Sequence, residues 1–298
     1  MRRIQFWAFF GLVVLALAAA CLHGLSGGHG PRSRWADFQG RGVHYVDTGG
    51  DGAPLVLVHG WACDTSFWKG QIEPMAASRR IIAVDLPGHG RSDPLDIPYT
   101  QDTLARAVLA VLDAADVDRA VLAGHSMGAS VVRRLALARP EQVSALILMD
   151  GALLFPPEDP DAERVWEAEM ESFMDAFRGQ GGEVFAARFI DSLHGPDTPD
   201  ELKPWIKEKM LSTPRAVRLS AMEGMIDPAV WRGGPVAVPT LAVYAVSDDM
   251  PADLEASLRI MFPDLTFALW HGPGHFLHME EPSRLNAEMF AFLAAHGL

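Results

Sequence analysis

Short, almost wholly apolar runs recur along this chain, separated by stretches in which apolar residues return every third or fourth position. Residues 55–58, 80–84, 120–123, 143–149 and 240–245 are runs of the first kind. Apolarity without alternation marks strands covered on both faces, as in a parallel sheet between two layers of helices. Residues 43–47 and 265–270 complete the predicted strands, the first set off from residues 55–58 by the turn Gly49-Gly50-Asp51-Gly52. Residues 100–115 have helical spacing, with Leu104, Val108, Val111 and Leu112 on one face. Further helices are predicted over residues 129–138, 251–261 and 282–295. From residue 155 to 231 no strand pattern survives, charged residues and prolines rise, and the apolar positions are helical, which predicts a helical insertion. Trp166, Met170, Phe173, Met174 and Phe177 form one stripe there, and Phe185, Phe189 and Trp205 add aromatic surface. Core packing is the default reading of that stripe, with the lining of a pocket as the alternative.

The two ends of the chain differ in character. Arg2 and Arg3 precede a stretch with one strongly polar residue, Gln5, that ends in Ala18-Ala19-Ala20-Cys21. Residues 1–23 therefore read as an export or anchor signal, which implies an exported or membrane-anchored protein of the cell envelope. Cleavage, lipid attachment at Cys21 and retention as a spanning helix all remain open. The Gly- and Ser-rich residues 24–34 read as a flexible tether. The chain of 298 residues is 49% hydrophobic, enough for a sizeable core, and its net charge of −13 disfavours nucleic-acid binding. With Cys21 in the signal segment, Cys63 has no partner for a disulfide and is expected to be a small buried residue beside the candidate site. The 11 histidines show no close ligand pattern, so no metal is expected.

Chemistry enters at Gly124-His125-Ser126-Met127-Gly128, a G-x-S-x-G pattern between a predicted strand and a predicted helix. A strand that turns sharply into a helix strains the middle residue and lifts its hydroxyl clear of the sheet, and the glycines let the two segments approach. A serine hydroxyl is a weak nucleophile, so it needs a base, and the base needs an orienting acid. In an open parallel sheet such groups collect at the carboxyl ends of strands. Asp248 follows the strand 240–245, and His275 follows the strand 265–270 in the loop Gly272-Pro273-Gly274-His275-Phe276, giving the order Ser, acid, His. Asp249 and Asp150 remain rivals for the acid, and His271 and His278 flank the favoured base. His125 and His89 read as packing or hydrogen-bonding residues. Backbone donors for an oxyanion would come from Met127, after the nucleophile, and from Trp61, after the strand 55–58.

These residues, with His-Gly-Trp at 59–61, Asp-Leu-Pro-Gly-His-Gly-Arg-Ser-Asp at 85–93, Ser-Asp-Asp at 247–249 and Gly-Pro-Gly-His at 272–275, resemble the α/β-hydrolase superfamily. The resemblance runs over about residues 35 to 298, to the branch with a helical cap inserted after the sixth strand. Ala129 and Ala245 stand where relatives often have glycine, and the second loosens the register of the acid. The resemblance implies a mostly parallel sheet of about eight strands flanked by helices, with a core of residues 35–154 and 233–298 and a cap of residues 155–232. It also implies a hydrolase that needs no cofactor. Serine at the elbow separates this chain from the aspartate-bearing epoxide hydrolases and dehalogenases and points to acyl transfer, and the aromatic and Met-rich cap points to carboxylic esters with apolar, short to medium acyl groups. Carbon-carbon bond hydrolysis, cofactor-free perhydrolysis and ligand binding without turnover are the alternatives. Trp61, Phe67, Trp166, Met170 and Phe276 are the expected pocket residues. The expected partner is a small-molecule ester, membrane contact is expected only through the N-terminal segment, and the oligomeric state is left open.

Overall fold

A computed structural model describes residues 30–298 apart from 51, 153–156, 158, 232 and 248–249. The predicted signal segment 1–23 lies outside the described residues, among which no helix is long and apolar enough to cross a membrane. Eight strands form one sheet: β1 (Arg32–Phe38), β2 (Arg41–Asp47), β3 (Leu55–Val58), β4 (Ile81–Val84), β5 (Ala120–His125), β6 (Val143–Met149), β7 (Thr240–Ala245) and β8 (Leu265–Trp270). Their spatial order is β1-β2-β4-β3-β5-β6-β7-β8. The β1–β2 and β2–β4 pairs are antiparallel and all others parallel. The oldest rule of such sheets applies: parallel neighbours need a crossover, and helices supply most of the crossovers here.

The continuous apolar runs divide their residues between two faces. Val56, Val58, Leu122, Leu146 and Leu148 pack with α2 (Gln101–Ala114) and α3 (Met127–Ala138) on one side. Leu55, Leu57, Val121, Ala145 and Ile147 pack on the other, against α1 (Lys69–Ala76) and the C-terminal α10 (Pro282–Ala295). Both faces are therefore dry, and alternation never shows in the sequence.

Among the described residues between β6 and β7 the chain inserts four α-helices: α4 (Pro160–Arg178), α5 (Gly182–Ser192), α6 (Leu202–Ser212) and α7 (Arg215–Ile226). The longest, α4, is started by Asp159, whose carboxylate accepts the N–H groups of Asp161 and Ala162, with Pro160 at the first helical position. After β7 come α8 (Leu254–Met261) and, following β8, the short α9 (Leu277–Glu280).

One strand escaped the hydrophobic pattern. β1 occupies the last three residues of the predicted tether and pairs with β2 from Arg32 opposite Asp47 to Phe38 opposite Arg41. Of its seven residues only Ala36 and Phe38 are buried. It is an edge strand, and its charged, mostly exposed residues are what an unpaired edge requires.

Candidate functional site

Ser126 joins β5 to α3 at φ 53° and ψ −120°, a left-handed conformation that a residue with a side chain holds only under constraint. The constraint is visible. The Ser126 N–H donates to the Met149 carbonyl at 3.0 Å, and the Ser126 carbonyl accepts the N–H groups of Ala129 at 3.0 Å and Ala152 at 3.1 Å. A Cβ at Gly124 would lie 2.4 Å from the Gly128 carbonyl oxygen, and one at Gly128 would lie 2.2 Å from that of Val58. No larger residue fits either position, so the serine is pinned between β5, α3 and the end of β3.

The neighbouring loop is equally tight. A Cβ on Gly60 would meet both the Ser126 Cβ and the His125 Nδ1 at 2.9 Å, so the backbone leading into Trp61 lies against the serine. His59 shapes that turn: its Nδ1 donates to the Gly60 carbonyl at 2.8 Å, and its Nε2 accepts the Leu86 N–H at 3.0 Å. Burial lowers the His59 pKa, which suits a ring that must stay neutral to accept. Asp85, the first residue of the 85–93 motif, gathers that loop by accepting from Thr65 N at 2.7 Å and Arg91 N at 3.0 Å and by pairing with His44 Nδ1 at 2.7 Å. Met127 is the first residue of α3, and a first-turn N–H has no partner within its own helix. Met127 and Trp61 thus bring two backbone amides to the serine's side of the sheet.

The base and its carboxylate meet across the strand ends. His275 Nδ1 lies 2.5 Å from Asp150 Oδ2. Asp150 follows β6 at φ 42°, its N–H donates to the Val243 carbonyl at 2.8 Å, and its Oδ1 accepts the Ala245 N–H at 2.9 Å. The favoured Asp248 and its neighbour Asp249 lie outside the described residues. The carboxylate seated on His275 is that of the rival Asp150. β6 and β7 are adjacent and parallel, so a residue past either end points to the same region, and the sequence alone does not rank them. The Ala245 N–H fixes the Asp150 carboxylate from the next strand. His125, as expected, is a hydrogen-bonding residue: its Nε2 donates to the His275 carbonyl at 2.8 Å. His89 Nδ1 donates to the Pro87 carbonyl at 2.9 Å.

Ser126 and His275 open into one cavity of about 280 Å³. Trp61 and Phe276 line it from the core side, and Met170, Phe173, Phe189 and Met222 from the insertion. Phe67 is not in its walls; it is buried behind Phe276, packed on Trp205 with ring centres 5.0 Å apart. Trp166 faces an outer groove between α4 and α7, which shares Met170 and Ile226 with the cavity. Cys63 is buried in the cavity wall, where desolvation raises its pKa well above the ordinary thiol value. Sequence reasoning did not single out Met210, Met222, Met225 or Ile226 as pocket residues. Their helical spacing gave a signal for an apolar face, but not for which side of the helix that face would turn to. Among the described residues no cluster of three or more histidine, cysteine or acidic side chains is placed to hold a metal.

Buried histidines behind the site make stability depend on pH. His89 and His278 are each pushed from 6.5 down to about 3, by burial first and then by neighbouring His59 and His275 respectively. His125 is also driven well below its ordinary value, mainly by burial. A depressed histidine pKa leaves stability intact above the ordinary value, and stability falls as pH drops from there toward the folded value, because only the unfolded chain takes up protons. At pH 5, His89 and His278 together should cost on the order of 4 kcal/mol relative to neutrality. Urea unfolding at pH 7 and pH 5 would read this, and an unchanged midpoint would contradict it.

The chain matches known proteins over most of its length. A family model for the alpha/beta hydrolase fold matches residues 53–282. The chain belongs to the alpha/beta hydrolase family. This alpha/beta hydrolase is 34% identical over 257 residues to 2-hydroxymuconate semialdehyde hydrolase of Pseudomonas sp. strain CF600, covering 82% of this chain and 88% of that protein. It is 30% identical over 212 residues to a pimeloyl-[acyl-carrier protein] methyl ester esterase of Aeromonas hydrophila, covering 69% of this chain and 81% of that one. Among solved structures, a thermophilic esterase from Thermogutta terrifontis superposes with a TM-score of 0.74 at 24% identity, over 89% of this chain and 99% of that one, a likeness of fold.

Proposed function

We propose that this alpha/beta hydrolase is a serine esterase acting on carboxylic esters with apolar, short to medium acyl groups. The observation that carries the reading is the strained Ser126 on the floor of the same apolar cavity as His275, whose far ring nitrogen is held by Asp150. In the proposed reaction the Ser126 Oγ attacks the ester carbonyl while His275 Nε2 takes its proton. The tetrahedral oxyanion is met by the N–H groups of Met127 and Trp61. Collapse breaks the bond to the alcohol, which leaves with the proton from His275, and a water molecule activated by the same nitrogen then hydrolyses the acyl-serine. The likeness to a methyl ester esterase supports this reading.

Carbon-carbon bond hydrolysis is the second reading, favoured by the 34% identity to 2-hydroxymuconate semialdehyde hydrolase. The cavity speaks for esters, because the described residues lining it include no lysine or arginine to meet a charged substrate. The test is turnover of p-nitrophenyl esters of increasing acyl length beside a panel of ring-fission ketones. A peak at short or medium acyl lengths supports the esterase, and turnover of the ketones alone would replace it with the second reading.

Acyl preference should move with the wall that separates the cavity from the outer groove. Met170 and Ile226 line both spaces, so Met170→Ala and Ile226→Ala should each connect them. The expected result is a preferred acyl chain longer by several carbons, read in the same ester series as the ratio of kcat/KM values. Each methylene gained or lost in an apolar pocket is worth about tenfold or more, so a shift of several carbons would be unmistakable. An unaltered chain-length profile would show that the acyl group runs elsewhere.

A further inference from the structure

The loop that carries His275 is held chiefly from outside the sheet. Glu280, the last residue of α9, uses one carboxylate oxygen, Oε2, to accept both the Gly274 N–H at 2.9 Å and the Thr198 hydroxyl at 2.7 Å. Thr198 lies in the connection between α5 and α6 of the insertion, and its Oγ1 accepts the Gly195 N–H at 2.8 Å. Two further bonds run between the same segments: the His275 N–H donates to the Leu193 carbonyl at 2.9 Å, and the Asp197 N–H donates to the Gly272 carbonyl at 3.2 Å. The two segments lie in direct backbone contact. A Cβ at Gly195 would stand 2.5 Å from Gly274 N, and one at Gly274 would stand 2.1 Å from Gly195 N. The elbow contributes one bond to this loop, from His125 to the His275 carbonyl.

We propose that Glu280 and Thr198 are positioning residues for His275, and that through them the insertion sets the orientation of the base. The inference rests on the reading of His275 as the general base. Asp150 fixes one ring nitrogen but leaves the ring free to swing about that bond, and the backbone of residues 272–275 decides where Nε2 points. A bond to a carboxylate is stronger than one between neutral groups, so a single Glu280 oxygen can hold the core loop and the insertion together. The Thr198 side chain is buried, so its hydroxyl is committed to this network and not to solvent. Misplacing a reacting group by about 1 Å typically costs on the order of a hundredfold in rate, which makes this network matter for turnover although it touches no substrate.

The test compares Thr198→Val, Thr198→Ser, Glu280→Ala and Glu280→Gln in the whole protein. Thr198→Val keeps the shape and removes the hydroxyl; Glu280→Gln keeps an accepting oxygen. Thr198→Val and Glu280→Ala should lower kcat on the best p-nitrophenyl ester by about ten- to a hundredfold with KM unchanged. Thr198→Ser should match the wild type, and Glu280→Gln should recover most of the rate lost in Glu280→Ala. A second readout needs no substrate: the far-downfield proton resonance of the His275 to Asp150 hydrogen bond should broaden or vanish in Thr198→Val and Glu280→Ala. An unchanged kcat, a loss confined to KM, or a resonance as sharp as in the wild type would each overturn the proposal. If the wild type hydrolysed no ester, the esterase reading would fail by itself and the resonance would still decide whether Thr198 and Glu280 hold His275.

Discussion

Replacing Ser126 by alanine should abolish ester turnover, with kcat falling by about a millionfold and a residue of binding and oxyanion stabilisation left behind. The size of the effect follows from what the substitution removes. Every bond that holds residue 126 in place is made by its backbone: the N–H to Met149 and the carbonyl to Ala129 and Ala152. Alanine keeps all of them, accepts the same φ at a similar cost, and fits the space beside Gly60. Only the hydroxyl oxygen is lost, so thermal unfolding should be nearly unchanged while turnover disappears. A fluorophosphonate probe would add its mass to the wild type and not to the variant. Hydrolysis at the wild-type rate in Ser126→Ala would end the acyl-enzyme reading outright.

Asp150→Asn should lower kcat by about ten thousandfold, a loss caused by a proton in the wrong place. The Ala245 N–H needs an acceptor, so an asparagine would turn its carbonyl oxygen to Ala245 and its NH2 group to His275. Facing a donor, His275 Nδ1 must give up its proton, and the proton moves to Nε2. A ring protonated there cannot accept from Ser126. The pocket is untouched, so KM should change little, and Asp248→Asn is the informative companion. Should Asp248→Asn instead show the ten-thousandfold loss and Asp150→Asn keep its rate, the acid would be Asp248 and the 2.5 Å contact of Asp150 would be structural.

How much of this could be read from the sequence depended on whether the deciding contacts were local. β3, β6 and β7 have the predicted bounds because strands buried on both faces write themselves as nearly unbroken apolar runs, and β8, an edge strand buried only at its two end residues, has its predicted bounds as well. The elbow was equally legible, since its two glycines answer to contacts within one strand–turn–helix unit and with the end of β3. β1 was missed because an edge strand with two buried residues in seven resembles a polar loop. The carboxylate on His275 depended on a backbone amide of a neighbouring strand, 95 residues from Asp150 in the chain, and no local pattern carries that. The pocket walls failed for a related reason. The stripe on α4 was correctly read as apolar, but it splits between Met174 and Phe177, which are buried in packing, and Met170 and Phe173, which face the cavity. Spacing fixes which residues share a face; the neighbouring helices decide what that face meets.

Three residues with side chains, Ala62, Ser126 and Asp150, hold φ values of 59°, 53° and 42°, each a short step past the end of β3, β5 or β6. None would stay there alone, because each conformation costs on the order of 1–3 kcal/mol and persists only while rigid neighbours enforce it. The three strands are consecutive in the sheet, so one frame enforces all three. Its loosening would release them together. Mild heat or denaturant, too weak to open the molecule, would then silence it first, and the protein would report the health of its own centre through its activity long before its shape gave way.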